Sequence, residues 1–246
     1  MSVNDGEVSQ PDGQPGAHMS IADFLGALGL GKLTTYERLS AAARWAPSLV
    51  DKAALAAAAA KEFHHFERVR DHLETLGFPI DKAMAPFSAA YEQYHANTTP
   101  ADWWQALIAF YIGDGVVADF YRHIVVTDWP DHQPLLPRNI QIFDPEIRAL
   151  AHEVLAEADD ATFAVERIRG VLTSQPGTAG RLNLWTRRMV GEALVHVRRV
   201  IAVRPSLATV VGGGSIQSVD QADLSVLFAR LAKNYTDRMT TLGLSS

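Results

Sequence analysis

A chain of 246 residues, 48% apolar and 20% charged, has ordinary globular composition and room for one large or two small domains. Its formal net charge of −6 speaks against a uniformly cationic nucleic-acid-binding surface, and its lack of cysteine excludes disulfides, thiolate metal sites and cysteine nucleophiles. No apolar run reaches the roughly 20 residues that cross a bilayer, so no membrane is expected as a partner.

Residues 1–19 carry neither the cationic start nor the apolar core of a secretory signal. Rich in Gly, Pro, Ser, Asp and Gln, they read as a disordered tail, and the protein is expected in the cytoplasm. Residues 20–246 read as one helical domain, with a bundle over 20–172 and C-terminal helices over 180–242.

Helical periodicity dominates, and no period-2 strand pattern stands out. The first helix is expected from Ser20. It is interrupted near "GLGK", resumes with Thr34 or Thr35 as cap, and closes at Pro47. Ser48 caps the second helix, which ends at Gly77. Residues 78–101 form a connector with a short helix. The third helix spans 102–126, and a proline-punctuated stretch follows it. The fourth runs from Asp144, with Pro145 at its first position, to about Leu172. A fifth covers 180–203, and a sixth covers 219–242 with Ser218 or Asp220 as cap. The expected fold is all-α: a four-helix bundle with a long crossover between helices 2 and 3, plus two additional C-terminal helices.

The apolar stripes at 3–4-residue spacing carry acids at their middles. Helix 1 reads Leu33, Tyr36 or Glu37, Ala41, with Glu37 on or beside the stripe. Helix 2 reads Leu55, Ala58, Glu62, His65, Val69, Leu73, Leu76. Helix 3 reads Leu107, Tyr111, Asp114, Ala118, Tyr121, Val125. Helix 4 reads Ile147, Leu150, Val154, Glu157, Ala161, Ala164, Ile168, with Asp160 beside Glu157. One ionised carboxylate in an apolar core costs several kcal/mol or takes up a proton. Four together call for cations among them. A dinuclear site offers that charge and takes one Glu from each of two helices plus Glu-x-x-His from each of the others. Glu37 and Asp114 are the single carboxylates here, and Glu62-x-x-His65 is one paired motif. Glu157-x-x-Asp160 stands where the second belongs, with Asp in the place of His. The ligand set suits iron and manganese alike. Taken alone, Glu62-x-x-His65 is a short motif that arises often by chance.

The segments "KEFHHFERVRDHL", "YIGDGVVADFYRHI", "AEADDATFAVERI" and "RLNLWTRRMVGEAL" resemble the bacterial ferritin-like proteins related to tRNA-(2-methylthio-isopentenyladenosine) hydroxylase, over most of residues 21–203. The resemblance implies a ferritin-like bundle and non-haem di-iron chemistry, with two Fe ions held by Glu37, Glu62, His65, Asp114 and Glu157. A sixth ligand is expected at Asp160, where the family has His. It also implies an O2-dependent hydroxylase acting on tRNA. The alternative is a non-catalytic metal binder or a degenerate ferritin-like interaction protein.

Helix 5 adds Glu192 and His196, one turn apart, as neighbours of the ligands or an alternative ligand. It also adds Arg187, Arg188, Arg198 and Arg199 as a candidate face for nucleic acid. The amphipathic helices 5 and 6 make a homodimer through the C-terminal part a further expectation.

Overall fold

A computed structural model describes residues 15–125, 143, 145–156, 159–204, 207 and 221–244, the side chains of 15–20, 159–161 and 221–224 aside. All regular structure among these residues is helical.

α1 (Pro15–Ala42) runs without interruption. It begins within the segment expected to be a tail, with proline at its first position, where the missing N–H costs nothing; residues 1–14 lie outside the described residues. The glycines read as a break, Gly29 and Gly31, are helical and sit where neighbours leave no room for a side chain: a Cβ on Gly29 would lie 3.2 Å from Val69 Cγ1, and one on Gly31 would lie 2.7 Å from the Tyr91 hydroxyl. Gly26, a turn earlier, is tighter still, since a Cβ there would lie 2.2 Å from the Ala83 carbonyl oxygen. Thr34 starts no new helix; its Oγ1 donates back to the carbonyl of Leu30 at 2.9 Å.

α2 (Leu49–Thr75) starts at Ser48, whose Oγ accepts from the Asp51 amide at 3.1 Å. It closes at Gly77, which has φ of 79°. The connector holds α3 (Ile80–Met84) and α4 (Ser88–Asn97). Asp102 then caps α5 (Trp103–Ile108), accepting from the Gln105 amide at 2.9 Å. α5 passes through a π-helical turn, Ala109–Asp114, into α6 (Gly115–Val125). These three pieces form the rod expected as one helix.

The fourth expected helix divides into α7 (Pro145–Leu155) and α8 (Asp159–Ser174). α9 (Ala179–Val203) and α10 (Gln221–Leu242) follow; the expected caps Ser218 and Asp220 lie outside the described residues.

α1 packs on α2 and on the rod, α2 packs on α7 and α8, and the rod packs on α7 and α8, closing a four-helix layer. α9 covers the rod and α4, while α10 lies on α6, α8 and α9. One contiguous core runs through them, from Phe24 and Leu28 through Leu55 and Ile112 to Ile168, Met189 and Leu231. α10 is locked to α6 by charge: Arg238 donates to Asp119, and both side chains are buried. Its guanidinium rests on Gly115, where a Cβ would lie 2.8 Å from Nε.

Candidate functional site

Between its helices the bundle holds an open-mouthed cavity of about 110 Å³. α1 contributes Leu28, Lys32 and Thr35, α2 contributes Glu62, and α4 contributes Tyr91 and Tyr94. The rod contributes Phe110, Asp114, Ala118, Tyr121 and Arg122, and α10 contributes Arg238.

The inward stripe of α1 runs through Leu28, Lys32, Thr35, Leu39 and Ala42, one register away from the expected one. Glu37 is therefore exposed. The charged groups that α1 turns toward Glu62 and Asp114 are bases. The Lys32 ammonium sits 3.0 Å from Glu62 Oε2. Arg38 Nη1 donates to Asp114 Oδ1 at 3.0 Å, and its Nη2 reaches the Thr98 carbonyl at 3.4 Å.

α2 holds Glu62 and His65 on its buried face, as the spacing predicts. His65 Nδ1 lies 3.7 Å from Glu62 Oε1, too far for a hydrogen bond, and has no other hydrogen-bond partner. Burial alone raises the Glu62 carboxyl, but Lys32 and His65 outweigh it and hold its pKa below the ordinary 4.5. Asp114 goes the other way. Burial pushes it up to about 6 despite the adjacent Arg38. The π turn sets its direction, since the additional residue in that turn shifts the phase of the rod where Asp114 meets Arg38.

Behind the cavity is a hydrogen-bonded aromatic layer. The Tyr91 hydroxyl donates to the Ala27 carbonyl at 2.9 Å and shares a 2.9 Å bond with the Tyr121 hydroxyl. His196 is buried against the rings of Tyr91 and Tyr94, with centroids 4.4 and 5.0 Å away, and its Nδ1 lies 3.2 Å from the Ala90 carbonyl. Burial lowers its pKa to about 4, and burial with Arg38 lowers that of His95 to about 3. Both imidazoles are neutral at pH 7. Glu192 turns aside and accepts from the Asn97 side chain at 2.8 Å. Neither Glu192 nor His196 lines the cavity.

Glu157 lies outside the described residues, as does the side chain of Asp160. Among the described residues, no three His, Asp or Glu side chains gather closely enough to hold an ion. Glu62 and Asp114 each bond to a basic group. An ammonium 3.0 Å from a ligand oxygen would stand beside any divalent ion that oxygen held, an uncompensated repulsion at low dielectric. The described residues do not fit a two-metal cluster.

The four α9 arginines expected to form a nucleic-acid face are spread over separate tasks. Arg188 donates to the Asn97 carbonyl at 2.8 Å, Arg198 lies 4.6 Å over the Phe228 ring, Arg199 is half-buried and Arg187 is exposed. The bases that matter at the centre, Lys32, Arg38, Arg122 and Arg238, do not stand out in the sequence. The available signal was the i, i+4 and i+7 spacing of Leu28, Lys32 and Thr35.

A closed all-α bundle that directs an acid–histidine pair, a second acid and a layer of tyrosines at its own centre is a bundle of the ferritin class. The chain matches the family model of the ferritin-like domain of actinomycetes over residues 17–214, and it belongs to that family. A comparison with curated proteins gives no match. Among the described residues, no helix is long and apolar enough to cross a membrane.

Proposed function

We propose that this ferritin-like protein has a centre neutralised by ion pairs instead of metal ions, and that it acts by binding rather than by O2 chemistry. The observation that carries this is the contact of the Lys32 ammonium with Glu62 at 3.0 Å, inside the face where a metal ion would need that carboxylate. Arg38 on Asp114 repeats the arrangement on the opposite helix. Metal analysis of protein purified without chelator, followed by anaerobic ferrous titration, tests it. Far less than one metal per chain is expected. Two irons per chain with an O2-dependent optical change would refute it.

A second reading is favoured by His65, whose buried Nδ1 has no hydrogen-bond partner beside Glu62. In that reading Glu37, Glu62, His65, Asp114, Glu157 and Asp160 hold two Fe or Mn ions, which would supply O2-dependent hydroxylation. It requires Lys32 and Glu37 to exchange places between the inside and outside of α1. A tRNA substrate would draw on Arg187 with its neighbours on α9, and filter binding with unmodified tRNA reads this directly. A homodimer through α9 and α10 would use the exposed Leu184, Val195 and Val226, and sedimentation equilibrium measures it.

A further inference from the structure

The outer face of α9 differs from the ends of that helix in what its charges meet. At the two ends Arg181 and Arg204 are paired, with Asp102 and Asp23. Between them Leu184, Arg187, Arg188, Gly191, Val195 and Arg198 follow at three- and four-residue steps, Arg187 and Arg188 being adjacent, so they share one side of the helix. All six are exposed. None of the three arginines has a carboxylate partner among the described residues. Arg188 donates to a backbone carbonyl, Arg198 lies on a ring and Arg187 makes no hydrogen bond or ion pair. The nearest acid on the helix, Glu192, is turned to Asn97. Two apolar side chains stand among the arginines, Leu184 at 70% exposure and Val195 at 38%. A Cβ on Gly191 would meet nothing within 4 Å, so the middle of the face is open. A complementary strand would be acidic, with an apolar residue toward each end.

The chain has such a segment. Residues 1–14 lie outside the described residues, and their sequence carries Asp5, Glu7 and Asp12 with no lysine or arginine. Val3 and Val8 flank the first two acids. The place where this segment joins the fold suits the face. α1 and α9 run in opposite senses: Asp23 meets Arg204, and four residues further along α1 the Ala27 carbonyl takes the Tyr91 hydroxyl, whose ring packs on His196. A segment leading from Pro15 back alongside α1 therefore meets α9 at its C-terminal end. The lengths agree. Pro15 to Asp23 is about 12 Å and Arg204 to Val195 about 14 Å, at about 1.5 Å per helical residue. The stretch from Pro15 to Val8 spans up to about 25 Å when extended, which brings Val8 level with Val195. Val8 to Val3 then covers about 17 Å, the length of α9 from Val195 to Leu184. Asp5 and Glu7 fall between these two apolar contacts, where Arg187 and Arg188 are, and Asp12 falls on the Arg198 side.

We propose that residues 1–14 dock on the outer face of α9 in the same chain, Asp5 and Glu7 on its arginines and Val8 and Val3 on Val195 and Leu184. Exposed ion pairs are individually weak. The tether offsets this, because a short linker holds its end at an effective concentration on the order of millimolar. Docked, the segment covers the arginines that an external polyanion would use, so such a partner must displace it. The inference is independent of whether ion pairs or metal ions neutralise the centre.

The chain has no cysteine, so Asn4→Cys places a single nitroxide label in the full chain, and paramagnetic broadening of backbone amide signals reads where it goes. The comparison is between residues 184–195 of α9 and the outer residues of α2 from 53 to 64, about as far along the bundle from Pro15. At about 0.1 M salt the α9 signals should broaden at least about threefold more, and about 1 M salt, where the Debye length falls to about 3 Å, should remove most of that excess. Asp5→Lys/Glu7→Lys should abolish it, and Arg187→Glu/Arg188→Glu in the same chain should restore it. Salt and the tail variant decide the matter even if the α9 variant fails to fold. No excess over α2, or an excess that survives reversal of the tail charges, would overturn the proposal. Isotope-labelled wild type mixed with spin-labelled chain reads contacts between copies. Broadening of α9 there as large as within one chain would give the face to a second copy and overturn docking in the same chain.

Discussion

Replacing Lys32 by methionine keeps the length and apolar stem of the side chain but removes the ammonium that holds Glu62. The buried carboxylate then has two unfavourable choices. It stays ionised without its nearest cation, or it takes up a proton. The second choice caps the cost. Protonating a carboxyl of ordinary pKa 4.5 at pH 7 costs about 2.5 × 1.36, or roughly 3.4 kcal/mol. Breaking a buried pair from one side costs on the order of 3–5 kcal/mol, so about 3 kcal/mol is expected for Lys32→Met at pH 7. The sign of the pH dependence follows. In the wild type the Glu62 carboxyl is held below 4.5, so its contribution is present at neutral pH and disappears as pH falls through the folded value. In the variant, burial dominates and raises the carboxyl, so the penalty is largest at neutral pH and shrinks toward 4.5. At pH 5 it should be about 0.7 kcal/mol, from 0.5 × 1.36. Urea unfolding at both pH values, with Lys32→Met/Glu62→Met beside the single variant, measures all of this. The double variant should return to within about 1 kcal/mol of wild type, because apolar replacement of both partners is often neutral. A single variant as stable as wild type at pH 7, or a double variant less stable than the single, would show that Glu62 is neutralised by something other than Lys32.

Acid should weaken the fold through His196, and His95 adds in the same direction. Each pKa lies below the ordinary 6.5, at about 4 and about 3. The unfolded chain therefore takes up protons that the fold refuses, and stability is full above about 6.5 and lost as pH falls toward 4. His196 alone should cost about 2 kcal/mol at pH 5, and His196→Gln should remove that part of the slope in urea titrations. Two glycine replacements should have opposite signs. Gly26→Ala drives a Cβ into the Ala83 carbonyl and should cost about 1–3 kcal/mol, whereas Gly170→Ala on α8 meets nothing within 4 Å and should gain up to about 1 kcal/mol; thermal unfolding reads both. Arg238→Met removes the two charged hydrogen bonds to Asp119 but leaves Asp119 with Arg122, and should cost about 1.5–3 kcal/mol in urea unfolding.

Most of the fold was legible because it follows from periodicity and capping. Ser48, Gly77 and Asp102 each act as the cap or stop that their residue type predicts. The inward face of α2, Glu62 and His65 included, lies where the 3–4 spacing puts it. The failures have definite physical causes. Gly29 and Gly31 of α1 read as a break because helix propensity is local, and the sequence does not reveal that Val69 and Tyr91 need the space. The stripe of α1 was read one register late. That exchanged Lys32 for Leu33 on the inner face and brought Glu37 toward the core, because a lysine is ordinarily assigned to the surface. The π turn compounds this on the rod, since a pattern search assumes one period throughout.

The same one-residue difference on α1 separates the two functional readings. A carboxylate at the inner position leaves the centre anionic and in need of metal ions. A lysine there makes the centre almost neutral without them. The acids of α2 and the rod look alike in both cases, so a motif built from acids and histidines cannot tell the cases apart. The cations can. The Lys32 ammonium and the Arg38 guanidinium approach Glu62 and Asp114 from one helix, three residues to either side of Thr35. That spacing places both bases on the inner side of α1 within two turns. An isolated buried base would be as costly as an isolated buried acid. Two bases opposite two acids are sustained only as a set, which is why a substitution at Lys32 should be felt at Glu62 and far less at Arg38.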